Sequence, residues 1–333
     1  MSPKPLLIVA GPTAVGKSAL GMALARRAPG EIIVADSMQV YRGLDVGTGK
    51  PSAAERATVP HHLLDICDPK ETFSASAFAS RAQAVVAEIR GRGHLPILVG
   101  GTGLYLRAFL KGHLAGAGGD PAIRERLRQE AAVGGARSLH ERLRALDPPS
   151  AERIHPGDLL RVVRALELWE MTGRRPSELR PALWDPPRAT ISALVVLTRE
   201  RDELYRLIDE RARRMWEMGL ANEVRGLLAA GYSPDLPALR SLGYRQAVAY
   251  LQGRRGAAEA LVEMQRATRR YARRQLTWFR REPAAEWVTV RGGEWVESLA
   301  ENLLERLPDQ RTAISHQPGR GEPGSRKTLE ADR

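Results

Sequence analysis

The chain has 333 residues, 43% of them hydrophobic, which is enough for one large or two modest domains with buried cores. Its 51 Lys and Arg residues outnumber its 39 Asp and Glu residues, and the net charge of +12 favours a polyanionic partner. A single cysteine excludes an internal disulfide or a cysteine zinc site, and no apolar run reaches membrane-spanning length, so we expect a cytoplasmic protein without a membrane partner.

A phosphate-binding loop opens the chain. The sequence GPTAVGKS matches the pattern G-x-x-x-x-G-K-[ST], between an apolar stretch of strand length and an Ala- and Leu-rich helical stretch. Backbone N–H groups and a helix N-terminus bind phosphate in such loops, the lysine contacts outer phosphates, and the serine hydroxyl can ligate Mg²⁺. The motif predicts a phosphate site without specifying the reaction. The predicted phosphate ligands are Gly11, Pro12, Thr13, Ala14, Val15, Gly16, Lys17 and Ser18, with Ser18 also the predicted Mg²⁺ ligand.

Strand and helix patterns alternate through the first 110 residues or so. The predicted strands are 6–10, 31–35, 62–66 and 95–99, and the predicted helices are 19–28 and 73–90. This alternation is typical of a parallel, doubly wound α/β sheet. Ligands of such sheets bind beyond the carboxyl ends of the strands, so Asp36 and Ser37 should lie beside the phosphate loop.

Helical patterns then replace the alternation. Asp120 and Pro121 form an N-cap followed by proline at the first helical position, and helical signals continue to about residue 179. A strand pattern returns at 190–197, followed by helices and one short strand near residue 288. We therefore predict a phosphate-loop α/β core at 1–117 and 189–307, with helical nucleic-acid-binding elements toward its C-terminus. The same patterns predict an inserted helical domain at 118–188 and a disordered tail at 308–333.

The positive charge is concentrated late in the chain. Residues 240–282 contain eleven Arg and three Glu, a net of +8. On the predicted helix 257–281, seven arginines fall within an arc of about 140°, which we call the basic face. A solvated surface usually mixes both signs, so this face favours a phosphate backbone, and Arg suits RNA. The basic face consists of Arg266, Arg269, Arg270, Arg273, Arg274, Arg280 and Arg281.

A series of motifs in a fixed order resembles the tRNA dimethylallyltransferase family, of bacterial type, over residues 5 to 305. After GPTAVGKS, the motifs are DSMQVY at 36–41, DVGTGKP at 45–51, HLLD at 62–65, GGTGLY at 100–105, RVVRALE at 161–167, RSLGYRQ at 240–246 and RRQLTWFR at 273–280. The phosphate loop alone is unspecific, whereas the ordered set is specific.

The resemblance implies a reaction. A dimethylallyl group would pass from dimethylallyl diphosphate to N6 of the adenosine 3′ to the anticodon, in tRNAs that read codons beginning with U. The products would be N6-isopentenyladenosine and diphosphate. The diphosphate would occupy the phosphate loop, Mg²⁺ would assist, and we expect a monomer that binds the anticodon stem-loop of tRNA.

The resemblance also implies roles for individual residues. Asp36 would be the general base, with metal ligation as the alternative. Thr102 would contact the target base, although it could instead only cap a helix, and Lys17 and Arg240 would stabilise the leaving diphosphate. Position 160 is Leu where many relatives have Gln, which removes one expected tRNA hydrogen bond. The expected tRNA contacts are Asp36, Ser37, Met38, Gln39, Thr102, Arg124, Arg161, Arg164, Arg240, Gly243, Tyr244, Arg245, Arg273, Arg274, Gln275, Trp278 and Arg280.

Three other functions share the phosphate loop. A small-molecule or nucleotide kinase would use Asp65 as its metal-site carboxylate, and it leaves the basic face unexplained. A transferase acting on free adenine nucleotides needs no basic surface of this size. A nucleotide-gated RNA-binding protein would bind tRNA without forming a product.

Overall fold

The strands form one parallel sheet. The computed structural model describes residues 5–112, 119–182 and 191–307, and within them the sheet has six strands in the order β3-β2-β4-β1-β5-β6. Each neighbouring pair is parallel, with Leu7 opposite Ile97 and Ala193 in the centre, and this confirms the predicted doubly wound sheet. The strands are β1 (Leu7–Ala10), β2 (Gly30–Ala35), β3 (His61–His62), β4 (Leu95–Gly100), β5 (Ala193–Thr198) and β6 (Glu286–Thr289).

Helices cover both faces of the sheet, because alternate side chains of each buried strand point to opposite faces. Leu7 and Val9 pack on one side and Leu6 and Ile8 on the other. The helices of the described residues are α1 (Lys17–Arg27), α2 (Ala53–Thr58), α3 (Ala75–Gly91), α4 (Gly103–Lys111), α5 (Pro121–Leu146), α6 (Pro148–Arg153), α7 (Leu159–Thr172), α8 (Pro176–Ala182), α9 (Arg201–Glu217), α10 (Leu220–Ala229), α11 (Tyr244–Leu251), α12 (Ala257–Phe279) and α13 (Trp295–Glu305). The core on the side of Leu7 and Val9 contains side chains of α1, α9 and α13, and the core on the side of Leu6 and Ile8 contains side chains of α3 and α4.

The structure differs from the sequence prediction at one strand and at one helix. The third strand is limited to His61–His62, because Leu63 and Asp65 adopt left-handed backbone conformations with φ of 63° and 55° and turn the chain. Helix α2 was not expected. Ser52 and Glu55 form its capping box, with Glu55 N 3.2 Å from Ser52 Oγ and Ser52 N 2.7 Å from Glu55 Oε2. The S-x-x-E spacing is the sequence signal that would have found it.

Helices α5 to α7 share a core of their own, formed by residues such as Leu127, Leu143, Val162 and Leu166. Asp120 Oδ1 accepts hydrogen bonds from the first turn of α5, at 2.8 and 3.2 Å, which confirms the predicted cap. The boundaries of the inserted domain stay a prediction. Most of residues 112–119 and all of residues 184–187, the two Gly- or Pro-containing segments at its edges in the sequence, lie outside the described residues. The predicted tail at 308–333 also lies outside them. Across the described ranges, the helices are too short or too polar to span a bilayer.

Candidate active site

A cavity of about 550 Å³ lies at the carboxyl ends of β1, β4 and β2. Because these three strands are neighbours, the phosphate loop after β1, the turn after β4 and the loop after β2 meet at one edge of the sheet. Helices α9 and α12 line the opposite wall. Of the residues predicted from the sequence, the lining includes Thr13, Ala14, Lys17, Ser18, Asp36, Ser37, Met38, Gln39, Arg245, Arg274 and Gln275.

Glycines make the tight path of the phosphate loop possible. Gly11 and Gly16 have φ of 139° and 111°, and a Cβ on Gly16 would lie 2.7 Å from the ring of Trp295. Helix α1 begins directly after Gly16, and no side chain caps its first turn. The N–H groups of that turn therefore remain available to an anion at the positive end of the helix.

Two cations converge on this loop. Lys17 Nζ donates a hydrogen bond to Pro12 O at 2.7 Å. The guanidinium of Arg211, from α9, donates to Thr13 Oγ1 at 3.2 Å and to Thr48 O at 3.3 Å. Burial and the neighbouring Arg211 lower the pKa of Lys17 to about 7, although Asp36 acts in the opposite direction. Burial likewise lowers the pKa of Arg211. Two neighbouring cations whose charged forms are disfavoured by burial favour a bound anion.

Arg211 is the functional candidate that the sequence reasoning missed. It lies in a stretch of mixed charge at 199–223, and such stretches are typical of solvated helix faces. Its signal is positional, because Ile208, Ala212 and Met215 share its helical face and also line the cavity. An arginine within an otherwise apolar stripe differs from the exposed arginines around it.

Asp36 and Thr102 lie on adjacent loops. Asp36 Oδ1 accepts hydrogen bonds from Met38 N at 2.8 Å and from Gln39 N at 3.4 Å. Thr102 Oγ1 accepts one from Ser37 N at 3.0 Å and makes no capping bond to α4. The hydroxyl of Thr102 thus connects the turn after β4 to the loop after β2. Backbone bonds orient one oxygen of Asp36, and among the described residues its other oxygen has no hydrogen-bond partner.

Helix α12 contributes Tyr271 and Gln275 to the cavity wall. The hydroxyl of Tyr271 lies near Thr102, and burial together with the nearby negative charge of Asp36 raises the pKa of Tyr271. Gln275 is only 6% exposed, and both ends of its amide are hydrogen-bonded within the protein, so its contact with tRNA stays a prediction. Trp278 is half-buried beside Phe279, with the two ring centroids 5.1 Å apart.

Other predicted residues lie away from the cavity. Arg240 is exposed and is not among the residues that line the cavity, whereas Arg211 lies beside the phosphate loop. Tyr244 is completely buried and donates a hydrogen bond to Glu223 Oε1 at 2.5 Å. Gly243 is buried beside it. Tyr244 and Gly243 are therefore part of the core here, and tRNA cannot reach the side chain of Tyr244.

The predicted tRNA contacts of the inserted helices differ in availability. Arg124 and Arg164 each form an ion pair of 2.7 Å with Glu167, whose side chain is completely buried. Arg161 is 71% exposed, 3.2 Å from Asp158. Leu160 is 74% exposed beside it. Arg124 therefore joins α5 to α7 through Glu167, and Arg164 pairs with the same carboxylate within α7. Arg161 presents its guanidinium to solvent.

Asp65 does not reach the cavity. Its carboxylate is paired with Lys50 and with Arg56, at 2.8 Å for Arg56. Burial would raise the pKa of Asp65, but these two cations lower it. A carboxylate occupied by two cations, outside the cavity, is not the metal-site residue that a kinase would need.

Six of the seven arginines of the basic face are exposed, including Arg273 and Arg280. Arg269 is the exception, since it is 3.4 Å from Asp209 and its guanidinium lies 5.7 Å from the ring centroid of Tyr205. None of the other six pairs with a carboxylate of the described residues.

Comparison with known proteins identifies the family. Residues 39–282 match the model of the IPP transferase family. The chain belongs to this family. It is 49% identical over 285 residues to the tRNA dimethylallyltransferase of Geobacter sulfurreducens, a match that covers 85% of the chain and 91% of that relative. It is 50% identical over 303 residues to the tRNA dimethylallyltransferase of Anaeromyxobacter dehalogenans, with 91% and 98% covered.

Solved structures agree with this assignment to the IPP transferases. The tRNA isopentenylpyrophosphate transferase of Bacillus halodurans is 38% identical with a TM-score of 0.66, covering 94% of this chain and all of that one. A eukaryotic dimethylallyltransferase acting on tRNA is 25% identical with a TM-score of 0.78, covering 95% and 80%. These relatives do not favour the kinase or the nucleotide-gated RNA-binding alternatives.

The low pKa of Lys17 predicts proton uptake by this IPP transferase. At pH 8 a group with a pKa of about 7 is largely unprotonated, and a bound diphosphate raises that pKa by its negative charge. We expect uptake of nearly one proton per dimethylallyl diphosphate at pH 8, decreasing as the pH falls below 7. Isothermal titration calorimetry in two buffers of different ionisation enthalpy measures it.

The Lys17→Met variant is the control, because it removes the titrating group and should show no uptake. Equal binding heats in both buffers for the wild type would contradict this interpretation of the Lys17 site.

Proposed function

We propose that this IPP transferase transfers a dimethylallyl group from dimethylallyl diphosphate to N6 of the adenosine 3′ to the anticodon of tRNA. One observation carries the proposal. A single cavity joins an anion site, with Lys17 and Arg211, to a carboxylate, Asp36, on the loop beside Thr102. The motif resemblance supports the position of the target adenosine. The proposal places the protein in the cytoplasm, as a monomer.

The anion site accounts for the leaving group. The diphosphate would lie against the phosphate loop and the first turn of α1, where Lys17 and Arg211 are already positioned. As the bond between C1 of the prenyl group and the diphosphate oxygen breaks, its electron pair stays on the diphosphate. Fixed cations at that point stabilise the developing charge without reorganising in the reaction step.

The residues present fit an assisting Mg²⁺. Within the described part of the chain, no three or more His, Cys, Asp or Glu side chains are grouped to hold a metal ion. The cavity instead offers the oxygens of Ser18 and Asp36. Mg²⁺ usually takes one or two protein oxygens and fills its other positions with water and substrate phosphates. Ser18 would hold it, and when bound it would neutralise part of the diphosphate charge.

Asp36 would act on the attacking amine. The exocyclic nitrogen of adenine is a weak nucleophile, since its lone pair is delocalised into the ring. As N6 forms its bond to C1, it must lose a proton, and the unpaired oxygen of Asp36 would take it. Thr102, held by the hydrogen bond from Ser37 N, would lie beside the target base. Extrusion of that base from the anticodon loop would let it reach the cavity.

The basic face would bind the tRNA backbone. We expect the double variant Arg270→Gln, Arg273→Gln to weaken tRNA binding and to make it less dependent on salt. The slope of the logarithm of the binding constant against the logarithm of the salt concentration should become shallower by about 0.7–0.9 for each phosphate that the variant no longer neutralises. Filter binding across a salt series measures both quantities. Arg206→Gln is the matched control, since Arg206 is exposed on α9 and pairs with Glu210. A slope equal to that of the wild type would show that these arginines do not contact tRNA phosphates.

A transfer assay tests the proposal itself. The protein is incubated with Mg²⁺, radiolabelled dimethylallyl diphosphate and unmodified tRNA transcript, with adenosine monophosphate as a separate acceptor. Label on the tRNA, absent when the target adenosine is changed to guanosine, is the expected result. Label on the free nucleotide alone, or consumption of ATP without transfer, would contradict it.

A further inference from the structure

The side chain of Gln275 bridges the two loops that the proposed reaction brings together. Its Oε1 accepts a hydrogen bond from Thr13 N at 2.9 Å, and its Nε2 donates one to Gly101 O at 2.8 Å. Thr13 belongs to the phosphate loop, and Gly101 directly precedes Thr102. A carboxamide suits this place because one end accepts and the other donates.

The surroundings hold the bridge in one arrangement. Gln275 is 6% exposed, so neither bond is exchanged readily with water. A Cβ on Gly101 would lie 2.3 Å from Gln275 Nε2, so the glycine leaves the space that the amide occupies. In the described part of the chain, no other side chain is hydrogen-bonded to both loops.

The bridge matters because the strand ladder stops short of these loops. Strands β1 and β4 pair as far as Ala10 and Gly100, and the chain beyond leaves the sheet in two separate turns. One turn would hold the diphosphate and the other the target base. Their separation sets the distance from C1 of the prenyl group to N6 of adenine, and a misplacement of 1 Å can lower a rate by about 10²-fold.

Helix α12 connects this bridge to the surface. Arg273 and Arg274 are exposed on the basic face, while Gln275, the next residue, faces the cavity. Tyr271, one turn earlier on the same helix, lies near Thr102 and also lines the cavity. The helix proposed to bind the tRNA backbone is therefore also the element that fixes the two reacting loops.

We propose that Gln275 is a positioning residue that sets the spacing between the diphosphate site and the target base. This inference rests on the proposed function. Gln275 would touch neither reacting atom and would act through Thr13 and Gly101. Its removal should slow the transfer step while each substrate still binds at its own loop.

The test compares single-turnover rates with separately measured substrate affinities. For Gln275→Met, which keeps the length of the side chain without its hydrogen bonds, we expect transfer at saturating substrates to fall by about 30- to 100-fold. Dissociation constants for tRNA and for dimethylallyl diphosphate should stay within about threefold of the wild type. Rates are expressed per folded active site, determined by diphosphate binding. If Gln275→Met does not fold, Gln275→Glu is judged by the same criterion, since it retains the acceptor and removes the donor.

Gln265→Leu is the matched control. Gln265 lies on the same helix and makes one tertiary hydrogen bond, of 3.2 Å to Asp209 O, away from both loops. Its transfer rate should equal that of the wild type. A Gln275 variant with a wild-type rate per folded site, or one whose defect is entirely in substrate affinity, would overturn the inference. Absence of transfer by the wild type would instead contradict the proposed function.

Discussion

Asp36→Asn should lower the transfer rate by about 10²- to 10⁴-fold and leave tRNA affinity close to that of the wild type. Asparagine removes the base but keeps an oxygen that can accept the hydrogen bonds of Met38 N and Gln39 N. The loop after β2 therefore keeps its shape, and the variant isolates the chemistry. Single-turnover transfer and filter binding to tRNA, on the same preparation, measure the two effects.

Asp68→Asn is the control for this variant. Asp68 also accepts a hydrogen bond from the backbone two residues on, at 2.9 Å from Lys70 N, but it lies outside the cavity. Its activity should be unchanged. A large fall in tRNA affinity in Asp36→Asn would contradict the general-base role. Recovery of the rate at high Mg²⁺ would indicate the alternative, that Asp36 is a metal ligand.

Arg211→Gln should lower the affinity for dimethylallyl diphosphate and the transfer rate together. A hydrogen bond to a charged group contributes about 1.5–3 kcal/mol, so we expect kcat/KM to fall by roughly 10- to 100-fold or more. Because Arg211 lowers the pKa of Lys17, its removal should also raise that pKa and reduce the proton uptake at pH 8. Kinetics with varied dimethylallyl diphosphate and the two-buffer calorimetry test both consequences.

A second substitution of Arg211 and a substitution of a neighbouring arginine serve as comparisons for this variant. Arg211→Lys keeps the charge but not the planar fork that reaches both Thr13 Oγ1 and Thr48 O, so it should rescue only part of the activity. Arg213→Gln, exposed on the same helix, should behave like the wild type. An Arg211→Gln enzyme with unchanged diphosphate affinity would remove Arg211 from the anion site.

Local signals predicted those parts of the fold whose causes lie within a few residues. The phosphate loop needs its glycines and Lys17 at fixed spacing, and the strand before it and the helix after it follow from apolar patterns. Asp120 caps α5 with its own side chain. The prediction over 62–66 was wrong because a short apolar run cannot distinguish a strand from a turn that places two residues in the left-handed region.

The site was only partly predictable, for a geometric reason. Parallel strand order brings Asp36, Thr102 and the phosphate loop to one edge, and the sequence indicated this for Asp36 and the phosphate loop. Whether Arg211 and Gln275 line the opposite wall depends on which way α9 and α12 face, and that orientation is set by packing between elements distant in sequence. Arg211 meets Thr13 across 198 residues, and Gln275 meets it across 262.

The sequence by itself determined a phosphate site at the start of a parallel α/β sheet, a basic helix near the end of the chain and the family of the protein. Those features depend on residue type and spacing along the chain. The tertiary structure decided which polar residues reach the cavity and which are buried elsewhere. Tyr244 and Gln275 both stand in motifs expected to contact tRNA, yet one completes the core and the other joins two loops. A side chain's role in a folded protein depends on the neighbours that packing gives it, and chain order does not specify those neighbours.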